Sequence, residues 1–298
     1  MLYYILLIGA TMLNTINNVC LYKKYQTTAG TGLWANIIYM IINGIVSAIL
    51  PGAVLIFTNG SLQTTLYSVL FATATVVSAA LALICMLKVY EQGQIAVINL
   101  LVTVGGIVFP SLWGIFVWKE EISLQKYLAI ILMLGAIFLM IDRKGEKSNK
   151  KLTWLYIVII LCNCLVTLLG KQHQIEQVYE TVDTLSFSIW VGIIRVLLFT
   201  CLGAVYFFVN KVTPRCQGGL NKTIRYATFS SITSGGSYIL TLFMAIGLPI
   251  VIATSLGAGI AIVMGLLLTW LIYREKLTVK QWVGVLLSFV GVILFLTA

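Results

Sequence analysis

The sequence predicts an all-α integral membrane protein with ten transmembrane helices, arranged as two inverted repeats of five helices each. Three observations lead to this prediction. The composition is 60% hydrophobic and only 9% charged, apolar runs of membrane-spanning length recur along the whole chain, and a stretch near the middle of the sequence is repeated near its end.

The apolar runs define the expected helices. Mean hydropathy is +1.03. The charged fraction of 9% is far below the roughly 25% of a soluble domain. A bilayer-crossing helix needs about 20 mainly apolar residues, and runs this continuous are typical of helices rather than of the alternating strands of a barrel. Ten segments qualify: 2–21, 33–56, 66–87, 94–117, 124–141, 152–170, 185–209, 226–246, 248–272 and 279–297. The first has no basic residue ahead of it, so we expect a retained span rather than a cleaved signal peptide.

An internal repeat divides the chain. WKEEISLQKYLAIILMLGAIF, beginning at Trp118, aligns with YREKLTVKQWVGVLLSFVGVI, beginning at Tyr273, with aromatic, basic, acidic and hydroxyl residues in the same order. Because five is an odd number of helices, the second copy must cross the membrane in the opposite sense, which gives an inverted repeat. We expect the halves 1–147 and 148–298 to form one membrane domain, joined by the polar stretch Asp142–Lys151.

The basic residues indicate orientation. Net charge is +10, and the Lys and Arg residues of the loops concentrate on the side that carries the Asp142–Lys151 stretch, whereas Lys119, Lys126 and Lys171 fall on the other. The positive-inside rule places the richer side in the cytoplasm. We therefore expect a multi-pass protein of the cell (cytoplasmic) membrane with both termini extracytoplasmic. Basic residues scattered along membrane borders do not favour a nucleic-acid partner.

The repeated helix boundary resembles the drug/metabolite transporter superfamily, EamA type. The resemblance is carried by WKEEIS at Trp118 and YREKLT at Tyr273, together with the duplicated five-helix pattern and a length of 298 residues. It implies a ten-helix transporter of small solutes, in a family whose substrates range over amino acids, nucleobases, sugars, vitamins and drugs. Where the family usually has a small residue before the Glu, this chain has Lys119 and Arg274.

The ionisable residues argue against an enzyme. All nine acids fall at predicted helix ends or in loops, so no carboxylate is expected at the bilayer midplane to relay protons or hold a cation. The single histidine, His173, is expected to be a solvated residue at the end of the sixth span. Without a metal-ligand cluster or a nucleophile–base pair, the sequence predicts no catalytic residue, no metal and no cofactor. Coupling to protons or ions stays open.

Polar side chains inside the spans form stripes at helical spacing. The candidate solute-binding residues are Asn14 and Asn18 in the first span, Asn99 and Thr103 in the fourth, Ser234 and Tyr238 in the eighth, and Thr254 in the ninth. Helix packing is the alternative, because small residues permit close approach and hydroxyls or amides bond between helices. It accounts less well for the asparagines, since a buried primary amide needs several partners.

Arg195 is the one charge deep inside a predicted span, near the middle of the 185–209 segment. Intramembrane charges face a bundle interior or an aqueous cavity, and a guanidinium suits a carboxylate or a phosphate. We expect Arg195 to anchor the solute. A structural bond to backbone carbonyls or to an acid of another span is the alternative.

Glu120 and Glu275 occupy equivalent helix ends in the two copies. Helix-boundary acids commonly accept backbone N–H bonds and interact favourably with the helix dipole. We therefore expect a structural role for both, at the start of the helix that follows each of them. A role in gating or coupling is the alternative.

These features predict a secondary transporter that moves a small polar or anionic organic solute, an amino acid or another metabolite, by alternating access. The alternative is a non-transporting membrane component, such as a lipid-carrier flippase subunit or a sensor. The expected partners are the solute and the lipid bilayer, and the expected state is a monomer or a homodimer.

Overall fold

The computed structural model describes residues 1–30, 32–90, 109–121, 123–140, 153–211, 219–273 and 279–297. Within these ranges the regular structure is helical, with no strand. The helices are α1 (Leu2–Ile16), α2 (Lys23–Ala29), α3 (Leu33–Phe57), α4 (Leu66–Tyr90), α5 (Leu124–Met140), α6 (Thr153–Ile175), α7 (Thr184–Asn210), α8 (Leu220–Gly247), α9 (Ile250–Tyr273) and α10 (Val279–Thr297). A π-helical stretch, Asn17–Tyr22, joins α1 to α2, and residues 109–116 are also helical.

Within the described parts of the chain, seven helical units are long and apolar enough to cross a bilayer. They are Leu2–Ala29, Leu33–Phe57, Leu66–Met86, Trp154–Ile175, Thr184–Val209, Leu220–Gly247 and Ile250–Ile272. Large apolar side chains such as Ile49, Leu197 and Val205 are exposed on the outside of these helices, as expected for surfaces that contact lipid. The prediction of an all-α, multi-pass membrane protein is confirmed.

Several sequence predictions lie outside the described residues. Most of the fourth predicted span, 94–117, does so, together with its candidate site residues Asn99 and Thr103. The Asp142–Lys151 stretch and Glu275 are likewise outside.

The helices pack in pairs along their length. The most extensive contacts join α3 to α7, α4 to α6, α5 to α10 and α1 to α8; α8 also packs on α3, and α1 on α9. Helices that are adjacent in sequence, such as α3 and α4, therefore find their main partners elsewhere in the chain. A mainly apolar helix in lipid gains little from burial, so such pairs depend on close packing and polar contacts.

The contact between α3 and α7 is a close approach of two backbones. A Cβ atom on Gly192 would lie 2.7 Å from the carbonyl oxygen of Gly44 and 2.7 Å from the backbone nitrogen of Ala48. A Cβ atom on Gly44 would in turn lie 2.9 Å from the carbonyl oxygen of Gly192. Only glycine fits at both positions, which is a common way for membrane helices to pack at short distance.

A polar junction joins the π-helical stretch to α3 and α8. Ser230 donates to the Oδ1 atom of Asn17 at 2.6 Å, and its oxygen lies 3.0 Å from the hydroxyl of Tyr39. The ring of Tyr39 also packs against those of Tyr22 and Tyr25, with centroids 4.8 and 5.2 Å away. These contacts fix the end of the first span against the other helices.

Candidate functional site

A cavity of 380 Å³ lies among α1, α6, α8 and α9. Most of its wall is apolar, with Leu7, Leu242 and Met244 among the larger side chains. The polar residues of the wall are Thr11, Asn14, Thr167, Lys171, Ser237, Tyr238, Thr241 and Thr254. Among the residues that the structure describes, the wall is thus largely apolar and carries hydroxyls, one amide and one cation at fixed places.

Four of these hydroxyls use their hydrogen on the protein itself. Thr167 donates to Asn163 at 3.3 Å, Ser237 to Ala10 at 2.8 Å, Thr241 to Ser237 at 2.9 Å and Thr254 to Ile250 at 2.8 Å, in each case to the backbone carbonyl. A hydroxyl carries one hydrogen and two lone pairs. These oxygens therefore face a ligand as hydrogen-bond acceptors.

Lys171 brings a positive charge to the cavity wall. The residue is 8% exposed, and its Nζ atom donates to the carbonyl oxygen of Leu248. The same atom lies 3.9 Å from the Oε1 atom of Glu120 and 5.9 Å from the centroid of the Trp118 ring. Lys171 was expected at a loop border after a span ending at residue 170. Helix α6 instead continues to Ile175, which places the lysine inside the helix.

Glu120 binds the start of α9 rather than the start of the helix that follows it. Its two carboxylate oxygens accept from the backbone nitrogens of Ile250 at 2.8 Å and Val251 at 3.2 Å. The turn after residues 109–116 directs it there, because the backbone nitrogen of Glu120 donates to the carbonyl oxygen of Gly114 at 3.0 Å. A Cβ atom on Gly114 would lie 2.8 Å from the Glu120 carboxylate, so glycine leaves room for this arrangement.

The structure corrects the interpretation of His173 as a solvated border residue. The histidine is 1% exposed. Its Nε2 atom lies 2.8 Å from the Oγ atom of Ser68, and its ring stacks on Phe187 with centroids 3.8 Å apart. The longer α6 packs against α4, and protein groups replace the water that a border residue would contact.

Arg195 lies outside the set of residues that line the cavity. Its Nη1 atom donates to the Oδ1 atom of Asn43, and the Nδ2 atom of Asn43 donates to Ser234 at 2.7 Å. These bonds link α7, α3 and α8 in one polar chain. The glycine contact between α3 and α7 brings Asn43 within reach of the guanidinium. Ser234, like Arg195, does not line the cavity.

Tyr238 connects the two regions. It lines the cavity, and it lies one turn of α8 from Ser234, the last residue of the polar chain that begins at Arg195. The hydroxyl of Tyr238 is buried and has no hydrogen-bond partner among the residues described here. A buried polar atom without a partner costs about 1–3 kcal/mol, so this hydroxyl is suited to a solute that supplies the missing bond.

The structure distributes the remaining predicted residues in two ways. Asn14 and Thr254 line the cavity. Asn18 does not line the cavity, but its Nδ2 atom lies 3.4 Å from the Oδ1 atom of Asn14, which does. Sequence reasoning missed Lys171, although its spacing of four residues from Thr167 places both on one helix face.

A hydrogen-bond cluster just beyond the end of α6 involves Glu176. The carboxylate accepts from the backbone of Val178 at 2.9 Å, from Gln172 at 2.9 Å and from the Tyr67 hydroxyl at 3.0 Å. These bonds, that from Val178 above all, lower the pKa of Glu176 to about 2. Gln172 also accepts from the indole of Trp118 at 3.0 Å, so the cluster continues to the surroundings of Lys171.

The comparisons with known proteins concern the fold. No family model and no curated protein matches the chain. One of the solved structures that match, described only as the crystal structure of a protein, superimposes with a TM-score of 0.74 over 98% of this chain and 97% of that chain, at 11% identity. At this identity the likeness shows a shared fold and nothing further. Fold and site together define a multi-pass helical membrane protein with a partly polar cavity between its helices.

Proposed function

We propose that the protein is a secondary transporter that moves a small polar or anionic organic solute, such as an amino acid, across the cell membrane by alternating access. The observation that carries this proposal is the cavity of 380 Å³ among α1, α6, α8 and α9. Sites for small molecules typically measure about 300–1,000 Å³ and combine an apolar wall with a few fixed polar groups. This cavity has both properties, and each of the four helices around it belongs to a membrane-length apolar unit.

The pairing of helices supports an inverted repeat. The first half contributes α1, α3, α4 and α5 as its first, second, third and fifth spans, and the second half contributes α6, α7, α8 and α10 in the same order. Exchange of the halves then maps the α3–α7 and α5–α10 pairs onto themselves. It also maps the α4–α6 pair onto the α1–α8 pair, and all four are the extensive contacts of the described chain. Transporters with inverted repeats place their site between the halves and work by rocking one half against the other.

The repeated boundaries at Trp118 and Tyr273 support ten spans in all, and the resemblance to the drug/metabolite transporter superfamily extends this proposal. The distribution of basic residues supports cytoplasmic placement of the Asp142–Lys151 stretch, with both termini outside. A single cysteine replacing Ser148 in a cysteine-free background should resist a membrane-impermeant thiol reagent in intact cells. Ready labelling there would reverse the proposed orientation.

The polar part of the wall favours solute transport over the alternative of a lipid-carrier flippase subunit. A flippase pathway needs an apolar lining for the lipid chain, whereas Lys171 and four acceptor hydroxyls lie in this cavity. Buried polar groups of this kind raise the cost of accommodating a hydrocarbon chain.

Flux through reconstituted protein tests the proposal. Proteoliposomes would be assayed for exchange of radiolabelled amino acids, carboxylates, nucleobases and sugars. Ala258 lines the cavity, so Ala258→Trp should fill it and abolish exchange of the transported solute. Leu197→Trp is the matched control, because Leu197 is 60% exposed on the outer surface. Folded protein that exchanges no solute in the panel would favour a sensor or another non-transporting role.

A further inference from the structure

We propose that Lys171 is the carboxylate-binding residue of the cavity and that the solute is a small monocarboxylate with an apolar body. This inference rests on the proposed function, since it takes the cavity as the solute site. It assigns the anion to Lys171 instead of Arg195.

The cavity wall carries a single kind of charge among its described residues. Among the described residues that line it, Lys171 is the only lysine, arginine, histidine or carboxylate. Arg195 and Glu120 are both absent from the wall. A solute with one negative charge therefore meets one cationic group, and the remaining wall offers hydroxyls, an amide and apolar side chains.

Glu120 leaves hydrogen-bonding capacity on Lys171. The closest approach of the ammonium to the carboxylate is 3.9 Å, which is longer than a charge-assisted hydrogen bond. Both carboxylate oxygens already accept from backbone nitrogens of Ile250 and Val251, at a helix start that itself favours negative charge. An ammonium has three donors, and the carbonyl oxygen of Leu248 accepts one of them.

The cavity wall also imposes an orientation on the solute. The hydroxyl of Thr241 donates to its own helix, so it presents lone pairs that disfavour a carboxylate beside it on α8. Leu7 and Leu242 supply apolar surface for the rest of the molecule. The carboxylate is thus directed to Lys171 and the apolar body to the leucines. The same acceptor oxygen would bind an α-ammonium group where the solute has one.

The experiment is equilibrium binding to the purified full-length chain with three probes of one carbon skeleton. L-leucine carries a carboxylate and an ammonium, 4-methylpentanoate carries the carboxylate alone, and 4-methylpentanamide is neutral. We expect at least one carboxylate probe to bind and the amide to bind at least about tenfold more weakly. Preference for L-leucine identifies an amino acid as the solute, and preference for 4-methylpentanoate identifies a simple carboxylate.

Variants assign the effect to Lys171. Lys171→Gln should raise the Kd of the carboxylate probe by about tenfold or more and leave that of the amide unchanged. Lys119→Gln is the control, because Lys119 is an exposed lysine of the neighbouring turn. Should Lys171→Gln fail to fold with the Glu120 charge left unpaired, the double variant Lys171→Gln/Glu120→Gln removes both charges and should show the same loss.

Three results would overturn the inference: a carboxylate Kd unaffected by the loss of Lys171, an amide that binds as tightly as the carboxylates, or no binding of either carboxylate. Failure of the proposed function has a different signature. If the protein exchanges a neutral solute independently of Lys171, the proposed transport function stands and the assignment of Lys171 as the carboxylate-binding residue fails. If the protein binds carboxylates through Lys171 but moves none of them, the assignment stands and the proposed transport function fails.

Discussion

Lys171 and Arg195 are both cations within membrane-length helices, yet their surroundings differ. Arg195 donates to Asn43, whose side chain continues the bonding to Ser234, so its guanidinium joins three helices. Lys171 lies in the cavity wall near the end of α6, and its Nζ atom is 3.9 Å from the carboxylate of Glu120. Arg195 thus bonds to a neighbouring helix, whereas Lys171 faces space that a solute can occupy.

A buried charge therefore identifies a site only together with its position relative to a cavity. The general expectation that intramembrane charges serve function pointed to Arg195, because its place near the middle of a span is visible in the sequence. The glycine pair of α3 and α7, which brings Asn43 to the guanidinium, is a property of the folded chain. The predictions below test whether the two regions are as separate as this contrast requires.

The largest effect is expected at the glycine contact that supports Arg195. Gly192→Val should prevent the close approach of α3 and α7, since even a Cβ atom there would lie 2.7 Å from two backbone atoms. Overpacking of this kind costs about 1–3 kcal/mol or more. Yield and melting temperature of the purified protein measure it. Gly52→Ala is the control, because nothing lies within 4 Å of a Cβ atom at Gly52; equal damage by both changes would contradict the packing argument.

Removal of the guanidinium should reduce stability more than it reduces solute binding. Arg195→Gln loses the charged donor to Asn43, and hydrogen bonds to charged groups contribute about 1.5–3 kcal/mol. We expect a lower melting temperature with a nearly unchanged Kd for the carboxylate probe. Arg225→Gln, at an exposed position, should change neither quantity. Normal stability with loss of carboxylate binding in Arg195→Gln would restore Arg195 as the solute anchor.

Glu120, the acidic neighbour of Lys171, should contribute a moderate amount to the stability of the folded protein. Glu120→Gln replaces one of two carboxylate acceptors with an amide donor, so one backbone N–H of Ile250 or Val251 loses its partner. Loss of a helix-start acceptor costs about 0.5–2 kcal/mol, measurable by denaturant unfolding in detergent. The neighbouring exposed Glu121 provides the control variant Glu121→Gln. A gating role would instead leave stability normal and abolish flux.

The smallest effect is expected from the pH dependence of Glu176. Its pKa of about 2 in the folded protein lies below the ordinary value of 4.5, so its ionised form is favoured by folding. The resulting stability is present above pH 4.5 and is lost as pH falls from 4.5 toward 2. The stability difference between the unaltered protein and Glu176→Gln should therefore shrink across this range. A difference independent of pH would show that the hydrogen bonds to Glu176 do not depend on its charge.

The sequence predicted the helices well where the bilayer alone determines them. The expected spans 33–56 and 124–141 correspond to Leu33–Phe57 and Leu124–Met140, because long apolar runs have few alternatives to a helix in lipid. The end of α6 was missed, since its polar residues stay helical through contacts with other parts of the chain. His173 and its bond to Ser68 illustrate such a contact.

The site was predicted less completely for the same reason. Asn14, Tyr238 and Thr254 were chosen from polar stripes and do line the cavity, because helical spacing places such residues on one face. The partner of Glu120 depends instead on tertiary structure, since Ile250 is distant in sequence. Whether Lys171 or Arg195 faces the cavity depends on how α6 and α7 rotate against their neighbours, which hydrophobic pattern alone does not determine.

The most direct test of alternating access is the reactivity of a single cysteine in the cavity. Ala258→Cys would be introduced after replacement of the six native cysteines, and labelled with a membrane-impermeant thiol reagent from either face of the membrane. Ala72→Cys is the control, because Ala72 is fully buried and is not among the residues that line the cavity. We expect position 258 to react from both faces and position 72 from neither. Reaction of position 258 from one face alone, under every solute condition, would contradict alternating access through this cavity.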